Sequence, residues 1–357
     1  MKILLLGDFS SAHYNLKLGL QELGHQVTLV SHRDGFKKTP TDIEFYHRSE
    51  NGNKYLGAAR EILSQYLLST QLKGYDVVQT ASHIFYHNRI DNYLFPKIFE
   101  NNGKSVLFNG ACSEPYNQFV KTLSYSPCAT CKQFDLDKNG CENEKINARA
   151  HEYSRYERYH AIVSSHFEYY KAFERTVFHN KNHFIPIPIR SEELSLPISV
   201  VPEKLNVYYG ETRKGFKGGA VIEAAIEMVK SSTYGRFFNF TTSRKIPYDE
   251  YVRVMNETHV LIDQANSYSY GVNALVAMSK GKIVLSGAEP AAVEFMGIEQ
   301  SECPVVNIRP SEKDIYDKLI ALYESRFALP EHSQQSIDFV KLHHDPIAIA
   351  RRYVDLY

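Results

Sequence analysis

Residues 263–290, DQANSYSYGVNALVAMSKGKIVLSGAEP, read as a strand end, a polar loop, a helix and a second strand. A strand over His259–Ile262 ends at Asp263-Gln264, and the loop Ala265–Tyr270 leads to Gly271. A helix opens at Val272-Asn273-Ala274 and runs to Lys280. It is apolar nearly all round, which predicts burial. Gly281 stops it, and Lys282–Ser286 forms the next strand. A strand–helix–strand crossover of this kind belongs to a parallel sheet. A helix start after a glycine-containing loop offers unpaired N–H groups and the positive end of a dipole, which suits a diphosphate. An ordinary crossover with a helix cap shows the same periodicity.

The alternation extends in both directions. Upstream, Leu205–Tyr209 and Phe237–Phe240 read as strands, and Gly219–Lys230 and Asp249–Glu257 as helices. The stretch FIPIPIRSEELSLPISVVP, 184–202, carries four prolines and reads as an extended linker. Before it, Lys2–Leu6 is a nearly continuous apolar run, as a strand buried on both faces requires. Leu16, Leu20 and Leu23 follow at helical spacing, then Gln26–Val30, Asp76–Gln79, Ser105–Phe108, His160–Ser164 and His183–Ile187 as strands. The fold class expected is α/β, with two Rossmann-like domains facing across a cleft. The division expected is 1–187 and 188–344, with the terminal helix 345–357 packing back on the first domain. Ligands of open α/β sheets bind at the carboxyl ends of the strands.

The segment at 263–290 closely resembles the donor-binding segment of family 4 retaining glycosyltransferases, which have the GT-B architecture. Gly-hydrophobe-x-Ala-Leu-x-Ala-Met-x-x-Gly-Lys stands at Gly271–Lys282. YYGETRKGFKG, 208–218, is similar to that family's first C-domain loop, and FVKLHHDPIAIARRYVDLY to its terminal helix. SYSYGVNAL with SGAEP also resembles a divergent bacterial subgroup associated with surface-polysaccharide synthesis. The resemblance implies a transferase that takes a nucleotide-diphosphate sugar and delivers the sugar to a glycan or glycolipid acceptor. It implies Arg213 and Lys214 as cations on the leaving diphosphate, which largely replace a catalytic metal ion. Donor contacts are implied for Gly7, Tyr268, Tyr270, Gly271, Val272 and Asn273. The family's two glutamates fall on Tyr268 and Val276, and valine accepts no hydrogen bond from a ribose. Glu289 is the nearest candidate substitute.

GDFSSAH, 7–13, resembles the family's first loop. It has one glycine where a dinucleotide fingerprint needs three. His13 is the candidate catalytic or substrate-contacting side chain there, and a structural histidine is the alternative. Asn109, in FNGAC after another strand, is the acceptor-side candidate.

Cys128 and Cys131 form a C-x-x-C pair, with Cys141 ten residues on and Cys112 upstream. Two thiolates at that spacing reach one tetrahedral ion, so the four suggest a structural zinc, with reduced thiols as the alternative. Cys303 stands alone.

Lys plus Arg and Asp plus Glu are equal at 41 each, which gives no general pull toward nucleic acid. The apolar run at the N-terminus is too short for a signal peptide, so a cytoplasmic protein is expected. EYSRYERYHA, 152–161, interleaves aromatics with bases. It reads as a solvated amphipathic helix, with RNA or membrane contact as the alternative, and a peripheral place at the inner membrane face is the alternative location. Two rivals to a transferase remain: a nucleotide-sugar-binding partner without catalysis, and a sugar-nucleotide epimerase of the same fold.

Overall fold

The computed structural model describes residues 1–33, 39–44, 54–82, 90–131, 134–135, 140–141, 152–190, 197–211, 215–244 and 246–357, with backbone alone at 54, 134–135, 140–141 and 152. In chain order the strands are β1 (Lys2–Leu6), β2 (Gln26–Ser31), β3 (Ile43–Glu44), β4 (Val77–Thr80), β5 (Lys104–Asn109), β6 (Phe134–Asp135) and β7 (Gly140–Cys141). They continue with β8 (Ala161–Ser164), β9 (Asn182–Phe184), β10 (Leu205–Gly210), β11 (Phe238–Ser243), β12 (Val260–Ile262), β13 (Ile283–Ser286) and β14 (Val306–Asn307). The chain divides into two compact units. One holds Met1–Pro115, Asn143–Pro188 and Pro346–Tyr357; the other holds Tyr116–Glu142 and Ile189–Asp345.

The first unit is a parallel sheet in the order β3-β2-β1-β4-β5-β8-β9. The run Ile3–Leu6 explains its layers. Alternate side chains leave a strand on opposite faces. Ile3 and Leu5 therefore enter one core with Leu16, Leu20, Ile349 and Tyr353. Leu4 and Leu6 enter another with Leu72, Val78, Leu94 and Ile98. The terminal helix Pro346–Leu356 lies against the helix Ala12–Glu22. The approach is so close that a Cβ at Gly19 would come within 2.1 Å of the Pro346 carbonyl oxygen. β9 stops at Phe184, short of the sequence expectation, and Pro186 cannot donate to a ladder.

The 152–161 stretch departs from its reading as a solvated helix. Tyr156 and Tyr159 are buried, and Arg155 is buried with them on an ion pair to Asp91 (2.5 Å). The Tyr156 and Tyr159 rings make edge contacts with Phe173, Phe178 and Phe95, so this face with Arg155 is core, while Tyr153, Arg158 and His160 stay exposed. No described helix is long and apolar enough to cross a membrane.

The second unit is a parallel sheet in the order β11-β10-β12-β13-β14, with the antiparallel pair β6–β7 apart from it. Tyr116–Glu142, assigned to the first domain by the sequence reading, clusters with this unit. Leu205, Val207, Tyr209, Val260, Ile262, Ile283 and Leu285 line one face and meet Ile222, Ile226 and Val229 of the helix Gly219–Ser231. The helix Val272–Ser279 buries Ala274, Leu275, Ala277 and Met278. Gly281 caps it in the left-handed region, with its N–H on Met278 O (2.9 Å) and that of Lys282 on Ala277 O (3.0 Å).

Candidate functional site

In the second unit the strand order reverses between β10 and β12, and the loops after these two strands form the crevice where such sheets bind ligands. Three segments are knitted together there. Ala265 N–H donates to Lys217 O (2.9 Å). Lys217 pairs with Asp263 (Nζ to Oδ1, 2.7 Å), whose side chain is 1% exposed. Asn273 Nδ2 donates to the same oxygen (3.2 Å), and Ser286 Oγ approaches the other (3.4 Å). Tyr251 then donates to Asn273 Oδ1 (2.7 Å). Gly218 must be a glycine. Its φ is +82°, and a Cβ would meet Asn266 Oδ1 at 2.9 Å.

The two helices that open on this crevice differ at their first turns. At Gly219–Ser231 a carboxylate is already in place. Glu211 is buried, accepts from Gly215 N–H (2.8 Å), and would lie 2.5 Å from a Cβ at Gly219. That position favours negative charge. At Val272–Ser279 no side chain caps the helix, and Gly271 as N-cap is extended (φ −97°, ψ 177°). Gly271, Val272 and Asn273 are only half-buried. The first-turn N–H groups thus face an accessible edge while the rest of the helix is core.

The remaining donor-side candidates of this unit go to two places. Tyr270 is buried against Phe339 and His344, with its hydroxyl near Met296 Sδ (3.5 Å) and His344 Nε2 (3.4 Å). Burial pushes its pKa well up. Tyr268 is half-buried, 4.9 Å from the Tyr125 ring, with its hydroxyl on Ser124 Oγ (2.9 Å). Glu289 lies beside it and donates its N–H to Tyr268 O (3.0 Å). The Glu289 carboxylate accepts two bonds from Arg309 (2.8 and 2.9 Å), one from Asn307 (2.9 Å) and one from Tyr125 (2.8 Å). The Arg309 hydrogen bonds, opposed by desolvation and helped by Asn307 and Tyr125, hold its pKa down at about 2. Its acceptor capacity is thus largely used within the protein. Arg213 and Lys214 lie outside the described residues.

In the first unit the structure brings Gly7 and His13 together. Gly7 adopts φ +78° after β1. His13 is 1% exposed, and its Nδ1 is 2.7 Å from Gly7 O. A carbonyl only accepts, so Nδ1 carries the proton and Nε2 accepts from Gln79 Nε2 (3.1 Å). Gln79 Oε1 in turn accepts from Tyr357 (2.8 Å). Burial pushes the His13 pKa down to about 4, against the pull of the Gly7 carbonyl. Asn109, at the end of β5, is buried and donates to Ser164 Oγ (3.1 Å), which donates on to Asn182 (2.8 Å).

Cys128 lies within a 3-10 turn at Pro127–Ala129, Cys131 follows it, and the two are not joined in a disulfide. Cys112 follows β5 in the first unit. Cys141 ends β7, and its side chain lies outside the described set. Among the described residues no three His, Cys, Asp or Glu side chains gather as a metal set.

Lys217, Asp263, Glu211, Arg309 and Tyr125 were not singled out from the sequence. Lys217 and Glu211 stand in the glycine-containing loop and Asp263 at a strand end, so position could have marked them. Arg309 and Tyr125 carry no local signal, since only the tertiary fold brings them to Glu289.

No family model matches the chain, and no curated protein matches it in sequence. Solved structures do share its fold. HepE of Anabaena in complex with UDP is 10% identical, with a TM-score of 0.62 and 99% of both chains covered. Sucrose-phosphate synthase of Thermosynechococcus elongatus is 13% identical, with a TM-score of 0.63 over 100% of this chain and 98% of that one. UDP-GlcNAc 2-epimerase of Neisseria meningitidis bound to UDP-GlcNAc is 12% identical, with a TM-score of 0.53 and 99% of both chains covered. The shared fold is the expected one of two Rossmann-like α/β domains.

Proposed function

We propose that the second unit binds the diphosphate of a nucleotide-diphosphate sugar at the start of the helix Val272–Ser279, and that the chain is a retaining glycosyltransferase. The observation that carries this reading is the uncapped, half-buried first turn at the carboxyl end of β12. In the reaction the bond from the sugar's anomeric carbon to the distal phosphate oxygen breaks, and negative charge grows on the diphosphate. N–H groups fixed beforehand at that place stabilise the growing charge more than the ground state. Arg213 and Lys214 supply the cationic part. The acceptor hydroxyl, on a glycan or glycolipid, forms the new bond on the same face and passes its proton to the leaving phosphate. The sugar class fits polysaccharide biosynthesis, and HepE and the epimerase, both solved with uridine nucleotides, make UDP and UDP-sugars the first ligands to try.

One observation favours a second reading. The Val276 side chain has no acceptor and the Glu289 carboxylate is held by Arg309, Asn307 and Tyr125, so neither position offers a ready partner for a ribose. A binder of nucleotide sugars without turnover needs only the diphosphate contacts.

The decisive variant is Val272→Pro. Proline is at home in the first helical position, and the extended Gly271 suits a following proline. The exchange therefore removes one N–H donor and leaves the helix. A hydrogen bond to a charged group contributes about 1.5–3 kcal/mol, so UDP affinity measured by calorimetry should fall by roughly 10- to 150-fold. Unchanged affinity places the phosphate elsewhere. Turnover of a bound nucleotide sugar with a panel of acceptors separates the transferase from the silent binder.

A further inference from the structure

At the end of the second unit's sheet opposite the anion crevice lies an open cavity of about 650 Å³. Lys204 comes just before β10, and Arg236 and Phe237 just before β11, so the cavity sits at the amino ends of these strands. β10 has six residues, which sets the two places about 20 Å apart along the sheet. Tyr323, near the end of the helix Glu312–Glu324, lines the cavity too, with Arg326 and Phe327 after it.

Rings and guanidinium groups form one stack there. The Phe237 and Tyr323 rings are 4.5 Å apart and inclined by 17°. Arg236 lies over the Phe237 ring (4.7 Å to its centre). Arg326 lies over the Tyr323 ring (4.6 Å) and the Phe327 ring (4.8 Å). A ring attracts the guanidinium charge through its face. It leaves the edge, where the N–H groups are, for an oxyanion. Arg326 is half-buried and donates to Tyr323 O through Nη1 (3.3 Å). Lys204 and Arg236 are exposed. None of the three cations forms an ion pair among the described residues, although Glu203 lines the same cavity. Lys217, Lys230, Arg244, Arg309 and Lys313 of the same unit each have a carboxylate partner. The same rim exposes apolar side chains. Phe327 is 72% exposed, and Val200, next to the lining residue Val201, 77%. A free anion leaves both in water. A bilayer takes them into its headgroup boundary and sets phosphates beside the cations.

We propose that this cavity docks the phosphodiester headgroup of an anionic lipid in a bilayer, with Phe327 and Val200 entering the interface beside it. Lys204, Arg236 and Arg326 supply the positive charge, and the ring-stacked guanidiniums supply the N–H donors. Attachment of this kind needs no spanning helix. The site stands apart from the proposed diphosphate crevice and does not rest on that reading.

Flotation of the full chain with vesicles tests this. The chain should float with phosphatidylcholine vesicles that contain about one-third phosphatidylglycerol and stay behind with phosphatidylcholine alone. Added salt should weaken the binding. Each cation near such a surface contributes about fivefold, so Lys204→Gln/Arg236→Gln should lower the partition about 30-fold. Both side chains are exposed, so the fold is not at stake. Lys318→Gln/Lys341→Gln removes the same charge from exposed positions outside the cavity and should change the partition less than about twofold. Phe327→Ser should lower it about tenfold. Equal binding to both kinds of vesicle, or no binding to either, overturns the proposal. A Lys204→Gln/Arg236→Gln protein that floats like the wild type does the same. Inorganic phosphate at constant ionic strength should not release the protein. Release by phosphate, or unchanged flotation of Phe327→Ser, identifies a site for a soluble anion and overturns the lipid. A failure of UDP to bind touches none of these results.

Discussion

At the carboxyl end of β1 the first unit buries the His13 ring between Gly7 O, Gln79 and, beyond it, Tyr357, with the His13 N–H on the buried Asp8 carboxylate (3.0 Å). At the carboxyl ends of β10 and β12 the second unit buries two carboxylates, Glu211 and Asp263, beside Lys217 and an open helix start. Both places are where the strand order of a parallel sheet reverses. The same topology thus supports a sealed junction in one unit and a half-open one with a paired Lys217 and Asp263 in the other. A junction whose donors and acceptors are spent internally has little left for a ligand. A junction with unspent N–H groups and charges held apart by short ion pairs keeps a field ready for an anion.

The sharpest way to break the contrast is to remove a charge from the second unit. Lys217→Met leaves the Asp263 carboxylate, 1% exposed, with Asn273 and Ser286 as its side-chain partners among the described residues. Breaking a buried pair by one partner costs roughly 3–5 kcal/mol. A large fall in the unfolding temperature is expected, with much of it recovered in Lys217→Met/Asp263→Asn. If the single variant unfolds like the wild type, the pair is not a structural part of the junction and the charged description of this unit falls.

The first unit is tested by pH. His13 has a pKa of about 4 in the folded chain against 6.5 when free, because burial disfavours the charged ring. Between those values the unfolded chain binds the extra proton, so stability rises with pH. The cost is absent above 6.5, grows as pH falls toward 4, and is complete below it, on the order of 3 kcal/mol. His13→Gln should lose this part of the slope in denaturant titrations at pH 4–6.5. A variant with the wild-type slope would show that the sealed junction owes nothing to this histidine.

Much of this architecture could be read from the chain, for reasons that differ by residue. ILLL and the alternation of short apolar runs encode strands covered on both faces, and burial of Ile3–Leu6 follows from that alone. Gly271 and Gly281 mark the ends of one helix because each end needs particular backbone chemistry. Side-chain roles at the site were much less legible. Tyr270 stands two residues from Tyr268 in the sequence, yet one is core and the other half-buried, because a polar loop has no period to sort them. Tyr156, Tyr159 and Arg155 look like a solvated face until Asp91, distant in sequence, supplies the counter-charge. The bonds from Thr130 to Gly215 and from Tyr125 to Glu289 join residues 85 and 164 positions apart, and no local pattern announces them.

The smallest effect expected concerns the rim of the charged unit. Glu289 is held at a pKa of about 2, mainly by the paired hydrogen bonds from Arg309. The free carboxyl titrates near 4.5. Between the two values the unfolded chain again binds more protons, so the contribution is present above 4.5 and is lost as pH falls through 2. Arg309 is 59% exposed, so solvent screens the pair and the effect on stability stays modest. Glu289→Gln should flatten the stability profile in that acid window and leave the slope at pH 5–6.5, to which His13 contributes, as it is. That separation also carries the comparison of the two units. If Glu289→Gln alters the slope at pH 5–6.5, the junctions are not independent and must be treated as one coupled system.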